Sequence, residues 1–556
     1  MTKNGSMGQN KKIRTYLDYV PESVKEQLSK AWGERKRETY AAAEKHGIRI
    51  EQGDSFNKVV TFELEPGHYH VVSGIVSTKD ISPDYSDVGT LCSGLMKQMV
   101  AAEKEKGCIP LFASNVCDWD SRYAKEVGAN VRLRDSVIRS CRENDIVLTG
   151  GETANLGDQV REKGMSWMFT LLSRYTNPLT NSTMHLNNAT DFALQNTFKN
   201  IADGKNYEII YERSMPLLQV KKKTKLLMTA DGTGSKSIVC EQVNSRTDIK
   251  DTLAMCCDDA TREGAFPVIA SIGVHAENSR GRHQIIDNMV DAGRDNLIPL
   301  VGCTFFESPD VSTYIMNGVA LSEVKERTSN APKKIEPGLP LVLLHEEQRS
   351  NGITMQRRIL SETFGNEWYN VRGSEAFNFI NDRLQGKYLG LNLNDEGRTL
   401  GELVAQPSTP YFRVDSMMPE QLLDKIRFRI NVSSGGIIGK NRRFLEPVEM
   451  GAKYYDVFDA PPLILLLQMA SRVEEAKGVV TDKVAYYTWG CGNGAVIATT
   501  DPESVRDYYT SKGIRARIGG VVTEQHEINI VSKCLDSTLK SEPHIIRHKY
   551  TEEPLG

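Results

Sequence analysis

The stretch Leu226–Lys236, LLMTADGTGSK, decides the fold of this chain. An apolar run of strand length ends on an acid, Asp231, and a glycine-rich turn then closes on a lysine. Because Gly232 and Gly234 carry no side chains, the turn can approach a polyphosphate closely while the carboxylate reaches a hard cation. The stretch predicts a nucleotide-phosphate site at a strand tip, although it lacks the order G-x-x-x-x-G-K-[ST] of a Walker A loop. A plain hairpin is the alternative.

The composition is that of an ordinary globular protein. The chain has 556 residues, 39% hydrophobic and 25% charged, which predicts roughly three or four domains. The net charge of −3 argues against a broad nucleic-acid-binding face, so we expect no nucleic-acid partner. Ten cysteines without a C-x-x-C pair indicate neither a zinc site nor a disulfide framework. Without a long apolar run or a signal peptide, we expect a cytoplasmic protein that does not enter a membrane.

The order of predicted elements indicates a mixed α/β (α+β) fold in several parts. The predicted parts are a disordered arm at 1–12, a first domain at 13–175, a linker or insertion at 176–215, a second domain at 216–330, a third at 331–525 and a tail at 526–556. The linker prediction rests on residues 176–200, which are rich in Asn and Thr and show little periodicity.

The first two domains repeat one order of strands and helices. Three pairs of segments correspond: Leu91-Cys92 with Met255-Cys256, Gly107–Pro110 with Gly264–Pro267, and Thr149–Thr153 with Val301–Phe305. The offset falls from 164 to 157 to 152 residues, as expected for two diverged copies that have gained small insertions. Chance likeness between two α/β units is the alternative.

Further motifs follow the opening stretch in a fixed order. They are DGTGSK at 231–236, MCCDD at 255–259, EGAFP at 263–267, SNG at 350–352, SSGG at 433–436 and TWGCGNG at 488–494. This series resembles aminoimidazole ribonucleotide synthetase, the phosphoribosylformylglycinamidine cyclo-ligase family, over about residues 225–522. The wider ATP-binding superfamily includes formylglycinamidine ribonucleotide synthetase, selenophosphate synthetase and thiamine-monophosphate kinase. Another family signature, G-G-E-T-A, is intact only in the first copy, at Gly150–Ala154.

The resemblance implies how the two copies share a site. In the superfamily, two amino-terminal domains pair through their sheets into a barrel-like core, and each nucleotide site combines aspartates from one domain with the G-G-E-T loop of the other. The second copy keeps the aspartates but has Gly302–Phe305 in place of G-G-E-T, whereas the first copy keeps G-G-E-T and lacks the acids. An internal pseudo-dimer barrel with one working composite site and one dead site is therefore expected, followed by one carboxy-terminal α/β domain.

The activity that the resemblance implies is ATP-dependent activation of an amide oxygen, followed by ring closure to an imidazole. ATP and Mg²⁺ are the implied cofactors. The implied site residues are Asp231, Lys236 and Glu152 as catalytic groups; Gly232, Gly234, Ser235, Asp258, Gly150, Gly151 and Thr153 for ATP; Ser433, Ser434, Gly435, Gly436, Asn351 and Arg443 for the substrate; and Asp231 and Asp259 for the metal. Glu307 is either the family's second acid or an exposed turn residue.

Several departures from the family pattern leave the substrate open. Arg349 and Asn431 stand where the cyclo-ligase has histidines, and Asp258 stands at the family's Asn. The alternatives are a formylglycinamidine synthetase-like activity, a small-molecule kinase and an inactive nucleotide-binding homologue. For Lys236 and Arg443 the alternative is a solvated side chain at the surface. We expect a small-molecule substrate and a monomer with an internal pseudo-dimer, or a weak homo-oligomer.

Overall fold

The structure is a computed structural model that describes residues 35–52, 60–77, 88–119, 129–156, 159–160, 164–179, 206–212, 215–309, 311–325, 335–388, 397–473, 478–538 and 543–552. The arm predicted at 1–12 lies outside these residues. No helix of the described segments is long and apolar enough to cross a membrane. All ten cysteines are thiols outside any disulfide.

Nineteen strands are present in these segments. They are β1 (Ile50–Gln52), β2 (Val60–Leu64), β3 (Gly67–Ser77), β4 (Cys108–Trp119), β5 (Val147–Asn155), β6 (Met165–Tyr175), β7 (Tyr207–Glu212), β8 (Met215–Val220), β9 (Thr224–Gly232), β10 (Ala265–Ala276), β11 (Thr304–Glu307), β12 (Tyr314–Val324), β13 (Pro340–His345), β14 (Ile426–Asn431), β15 (Gly451–Tyr454), β16 (Asn493–Thr499), β17 (Ala516–Thr523), β18 (Glu527–Val531) and β19 (Ile545–Lys549).

The described helices are mostly short. They are α1 (Ala41–Lys45), α2 (Val88–Glu105), α3 (Ala129–Glu143), α4 (Lys236–Gln242), α5 (Asp248–Arg262), α6 (Arg282–Asp295), α7 (Ile353–Phe364), α8 (Gly373–Arg383), α9 (Leu400–Ala405), α10 (Tyr411–Ser416), α11 (Glu420–Leu423), α12 (Gly436–Leu445), α13 (Pro462–Val473), α14 (Asp482–Thr488), α15 (Pro502–Ser511) and α16 (Leu535–Thr538). Three 3₁₀ turns lie at Arg37–Thr39, Trp368–Asn370 and Glu446–Val448.

Two six-stranded sheets with the same strand order occupy the first part of the chain. One runs β1-β2-β9-β12-β10-β11 and the other β7-β8-β3-β6-β4-β5. Each sheet is completed by strands that precede the other half in sequence. Strand β2 precedes the first half but pairs with β9 of the second, and β8 precedes the second half but pairs with β3 of the first. The two halves therefore exchange their first strands. This exchange corrects the linker predicted at 176–215, since that range contains β7 and the start of β8, both members of a sheet.

The strand registers show which residues of the two halves are equivalent. Val116 on β4 faces Glu152 on β5, and Gly273 on β10 faces Thr304 on β11 in the same position. One position earlier on each of these central strands, the residues paired across the sheet also correspond. They are Ile272, Gly318 and Asp231 in one sheet, and Asn115, Phe169 and Gly74 in the other. Thr304 is therefore the counterpart of Glu152, and Gly74 is the counterpart of Asp231.

The two sheets pack face to face over one apolar core. The rings of Phe62 and Phe112, one from each sheet, stack with centroids 3.8 Å apart. Ser73 Oγ lies 2.8 Å from Ser271 Oγ across the same interface. The barrel predicted for this core is not found: among the described strands, no ladder joins one sheet to the other. The sheets meet through side chains of their faces, and a backbone hydrogen bond runs from the Ser73 N–H to the carbonyl of Gly302.

Residues 335–552 build the third domain around a seven-stranded sheet, β14-β16-β13-β17-β15-β18-β19. Helix α13, the most apolar helix of this domain, is buried along most of its length. The last two strands of the sheet lie in the range 526–556 that was predicted as a tail. That prediction is wrong for Glu527–Val531 and Ile545–Lys549, because alternate side chains of β18 and β19 are buried against the domain.

Candidate active site

Three carboxylates from two halves of the chain converge where β9 ends. Asp231 is the penultimate residue of β9, Glu152 lies on β5, and Asp259 lies in α5. Burial raises the pKa of Asp231 well above its usual value, and the charges of Glu152 and Asp259 raise it further. Gly232 N–H donates to Asp231 Oδ1 at 2.7 Å and partly offsets these effects. We call this acid cluster the first junction.

Asp118 belongs to the first junction and was missed by sequence reasoning. This buried residue of β4 accepts a hydrogen bond from Asn317 Nδ2 at 2.7 Å. Burial raises the pKa of Asp118 to about 7; Asn317 lowers it and Glu152 raises it. Gly232 packs beside the same amide, since a Cβ there would lie 2.3 Å from Asn317 Oδ1. The available signal was an acid inside the apolar strand CIPLFASNVCDW.

Positive side chains surround Asp259. Arg262 Nη1 donates to Asp259 Oδ1 at 3.1 Å. Burial alone would raise the pKa of Asp259, but Arg262, Lys440, Arg349 and Arg443 together lower it below its usual value. Lys440, a second residue that sequence reasoning missed, lies on α12, and burial lowers its pKa to about 8. The first junction thus receives groups from both halves and from the third domain.

Lys236 does not lie beside these carboxylates. Its side chain is 0% exposed, and its ammonium lies 2.8 Å from Asp251 Oδ2 and donates to the carbonyl of Gln406. The backbone N–H of Ser408 donates to Asp251 Oδ1 at 2.9 Å. The buried ion pair therefore lies within the second domain, and the hydrogen bonds with Gln406 and Ser408 link it to the third. This placement does not support the phosphate-binding role predicted for Lys236, because the ammonium is enclosed and bonded.

Asp258 also faces away from the first junction. It is 0% exposed, accepts from Arg349 Nη2 at 2.7 Å, and accepts from the Phe412 N–H at 2.8 Å. Burial raises the pKa of Asp258, although Arg349 and Arg429 act to lower it. Asn431 Nδ2 donates to the backbone carbonyl of Asp258. Its contacts are those of a domain interface, which does not support the predicted ATP contact.

The glycine turn after Asp231 is held by the third domain. Gly234 adopts a left-handed conformation with φ of 60°. Ser350 Oγ donates to the carbonyl of Thr233 at 2.7 Å, and Ser235 Oγ lies 2.9 Å from Thr354 Oγ1. The neighbouring Asn351 is buried, and its Nδ2 donates to the carbonyl of Thr488 at 2.6 Å. Asn351 therefore ties its own turn to the end of α14, and its amide nitrogen is already bonded.

The part of β5 that carries Glu152 borders open space. A Cβ at Gly150 would meet nothing within 4 Å, whereas one at Gly151 would lie 2.7 Å from Asn115 Oδ1. The side chain of Glu152 is exposed. Thr153 is described through its backbone, which pairs with Cys117 on β4. Space for a ligand thus lies over Gly150 and Glu152.

The SSGG turn begins α12. Gly435 and Gly436 have φ of 93° and 58°, and a Cβ at Gly436 would lie 2.1 Å from the carbonyl oxygen of Tyr486. Ser433 is buried and its carbonyl accepts from the Gly436 N–H at 2.8 Å, while Ser434 is exposed. No side chain caps this helix, as is typical of a helix start that can bind an anion. The exposed Arg443 follows on the same helix.

Among the residues that the structure describes, the equivalent second junction carries no matching acids. Gly74 stands in the row of Asp231, and Thr304 stands in the row of Glu152. Glu307 ends β11 with an exposed side chain and belongs to this second junction by its strand, which pairs with β10. It does not join the carboxylates around Asp231.

Packing also differs between the junctions. A Cβ at Gly302 would lie 2.3 Å from the carbonyl oxygen of Val71, and Gly302 has φ of 64°. The Ser73 N–H donates to the Gly302 carbonyl at 3.3 Å. The loop of the second junction is therefore closed onto β3, in contrast to the open space at its counterpart, Gly150.

The fold and site together define a mixed α/β protein with an acidic site between two related sheets and a third domain over it. Residues 214–324 match the family model described as AIR synthase related protein, N-terminal domain. This match and the similar cyclo-ligases confirm, for this part of the chain, the resemblance carried by the motifs.

Three relatives match between 28% and 55% of the chain. It is 24% identical over 321 residues to the trifunctional purine biosynthetic protein adenosine-3 of Drosophila melanogaster, covering 54% of this chain and 21% of that protein. It is 22% identical over 311 residues to the phosphoribosylformylglycinamidine cyclo-ligase of Methanococcus maripaludis, covering 55% and 79%. For the cyclo-ligase of Pyrococcus horikoshii the values are 28% over 160 residues, covering 28% and 48%. The chain thus spans less than half the length of two of these relatives.

Solved structures with detectable similarity include the HypE–HypF complex, at 14% identity and a TM-score of 0.35, covering 55% of this chain and 86% of that chain. T. maritima PurL complexed with AMPPCP is 13% identical with a TM-score of 0.34, covering 55% and 41%.

Proposed function

We propose that this chain is an ATP-dependent cyclo-ligase of purine biosynthesis that converts formylglycinamidine ribonucleotide to aminoimidazole ribonucleotide, ADP and phosphate. The observation that carries the proposal is the meeting of Asp231, Asp259 and Glu152 at the first junction, beside a glycine turn with room above it. The family-model match at 214–324 and the cyclo-ligases among the relatives support the choice of reaction.

The two halves act in this proposal as an internal pseudo-dimer with one working composite site. Their identical strand order and the exchange of first strands support it. So does the contrast between junctions: Asp231 and Glu152 meet at the first, while their counterparts Gly74 and Thr304 are uncharged. The protein would then need no second copy to build the site, consistent with a monomer or a weak homo-oligomer.

The carboxylates fit a divalent cation. Burial and then the charges of Glu152 and Asp259 raise the pKa of Asp231, so the unliganded cluster holds like charges close together at a cost in free energy. Oxygen ligands of this kind are what Mg²⁺ takes in proteins, and Asp231 and Asp259 would hold it with Glu152 opposite. Bound Mg²⁺ would supply neutralising charge for the polyphosphate.

The reaction begins when the amide oxygen of the substrate attacks the γ-phosphorus of ATP and ADP leaves. The amine of the same substrate then attacks the activated carbon, and phosphate leaves as the ring closes. The protein contributes positioning and charge. In this proposal the Gly234 N–H would meet the triphosphate, and the Gly435 N–H would meet the ribose phosphate with Arg443 beside it.

The test is phosphate release from ATP and Mg²⁺, with and without formylglycinamidine ribonucleotide. The variants are Asp231→Asn and Glu152→Gln, with Glu307→Gln at the second junction as the matched control. Substrate-dependent turnover is expected in the wild type and in Glu307→Gln, and its loss is expected in the other two. Retained turnover in Glu152→Gln would contradict the composite site.

A second candidate is another ATP-dependent activity of the superfamily, either formylglycinamidine synthetase-like or kinase-like, on a different small molecule. The buried contacts of Asp258 with Arg349 and Asn431 favour it, because these three residues replace the family's usual ones next to Asp259. ATP binding without turnover of formylglycinamidine ribonucleotide would support this candidate. Absence of ATP binding would leave an inactive homologue.

A further inference from the structure

We propose that Lys440 contacts the phosphoryl group transferred at the first junction, the role that the sequence motif suggested for Lys236. The inference rests on the proposed function, since it requires a polyphosphate beside Asp231 and Asp259. It adds a residue of the third domain to the reacting site.

The backbone delivers Lys440 to the acids. Strand β14 ends at Asn431, whose side chain donates to the carbonyl of Asp258, the residue before Asp259. The SSGG turn follows, and Lys440 is the fifth residue of α12. Its charge interacts with both Asp259 and Asp231. The helix therefore holds this lysine over the same carboxylates that would bind the metal.

The ammonium of Lys440 is buried and available. The residue is 6% exposed, and within the described segments it makes no hydrogen bond or ion pair of its own. The other buried cations of this region are paired: Arg262 with Asp259, Arg349 with Asp258, and Lys236 with Asp251. A buried ammonium has three donors to satisfy, and phosphoryl oxygens would accept from them. A lysine suits this task because it acts as a compact point charge.

Two phosphoryl sources share this chemistry: the triphosphate of ATP and the ribose 5-phosphate of the substrate, which would lie near the SSGG turn. The charge of Lys440 interacts with the charges of both Asp231 and Asp259, which favours the triphosphate as the group that Lys440 binds. Separate titrations with ATP and with ribose 5-phosphate distinguish the sources.

The experiment is calorimetric titration of the full chain with MgATP, adenosine, ribose 5-phosphate and Mn²⁺ alone. The variants are Lys440→Met and Lys440→Gln, with Lys250→Met, a partly exposed lysine at the start of α5, as the matched control. Loss of one charge-assisted contact should weaken MgATP binding roughly 10- to 100-fold in both Lys440 variants. Adenosine binding should not change, and Mn²⁺ should bind as tightly or more tightly, because a repelling charge has been removed.

If Lys440 served only as a structural counter-ion of the carboxylates, the titrations would give a different pattern. MgATP affinity equal to that of the wild type in a folded Lys440 variant would overturn the proposal. So would a loss confined to ribose 5-phosphate, which would assign the ammonium to the substrate. If the wild type binds no ATP, the proposed function itself fails, and that result is distinct from either outcome. Lys440→Gln keeps a polar side chain in the buried position and serves if the methionine variant does not fold.

Discussion

Arg349 Nη2 lies 2.7 Å from Asp258 Oδ2 in an enclosed ion pair between the second and third domains. Asn431 donates to the backbone carbonyl of the same aspartate. Along the sequence, Asp258, Arg349 and Asn431 are three unrelated departures from the family pattern. In space they form one cluster, in which the charge introduced at Asp258 is matched by the charge introduced at Arg349.

Removing Arg349 should destabilise the fold strongly. Arg349→Met leaves the carboxylate of Asp258 buried without its partner, which costs about 3–5 kcal/mol of unfolding free energy. Chemical denaturation measures the loss, and Arg294→Met, at a surface pair with a side chain 63% exposed, is the control expected to change little. The double variant with Asp258→Asn should recover part of the loss. Stability of Arg349→Met within about 0.5 kcal/mol of the wild type would contradict the pairing.

Glu346 should make stability depend on pH. It accepts from Arg349 Nη1 at 3.2 Å and from the Thr409 N–H at 3.1 Å, with Tyr411 beside it. Burial raises the pKa of Glu346 from 4.5 to about 7, although Arg349 and Thr409 act to lower it. The folded protein therefore holds a proton that the unfolded chain releases, and this contribution to stability is lost as pH rises from about 4.5 to 7.

The matching measurement is unfolding free energy against pH for Glu346→Gln and the wild type. Replacing the carboxyl by an amide removes the titration, so the variant should lose less stability than the wild type across that window. Glu347→Gln, at an exposed neighbour, should follow the wild-type curve. Parallel curves for Glu346→Gln and the wild type would show that Glu346 does not titrate there.

Local sequence was sufficient for part of the site and insufficient for the rest. The strand-then-glycine pattern at Asp231 and the G-G-E-T motif at Glu152 each mark a strand tip, and the structure brings both to the first junction. Lys236 has the same kind of local signal, but its partner Asp251 lies one helix further along and Gln406 lies in another domain. No local pattern predicts that a side chain beginning a helix turns inward.

Long-range pairing was the other part that sequence could not supply. The repeat indicated two related halves, yet the exchange of β2 and β8 between sheets depends on which strands meet after folding. Lys440 was hidden for a related reason. It lies inside a helix after a glycine turn, and only the contact of Asn431 with Asp258 shows which carboxylates that helix approaches.

The two junctions should tolerate alanine differently at equivalent glycines. Gly150→Ala adds a methyl group where nothing lies within 4 Å, so unfolding free energy should change by less than about 0.5 kcal/mol. Gly302→Ala would force a Cβ to 2.3 Å from the Val71 carbonyl at a φ of 64°, at a cost of about 1–3 kcal/mol or more. Thermal unfolding of both variants measures the difference, and equal midpoints would contradict the closed second junction.

The main effect of Lys236→Met should be a loss of folding stability. The substitution leaves Asp251 buried beside Ser408 without its cation, which costs about 3–5 kcal/mol. Lys236→Met with Asp251→Asn removes both charges and should recover part of that loss, because the amide still accepts from the Ser408 N–H. If Lys236 instead contacts phosphate, the single variant would stay near wild-type stability while MgATP affinity falls. Denaturation curves and calorimetric titrations on the same two variants separate these outcomes, and the buried ion pair predicts the first.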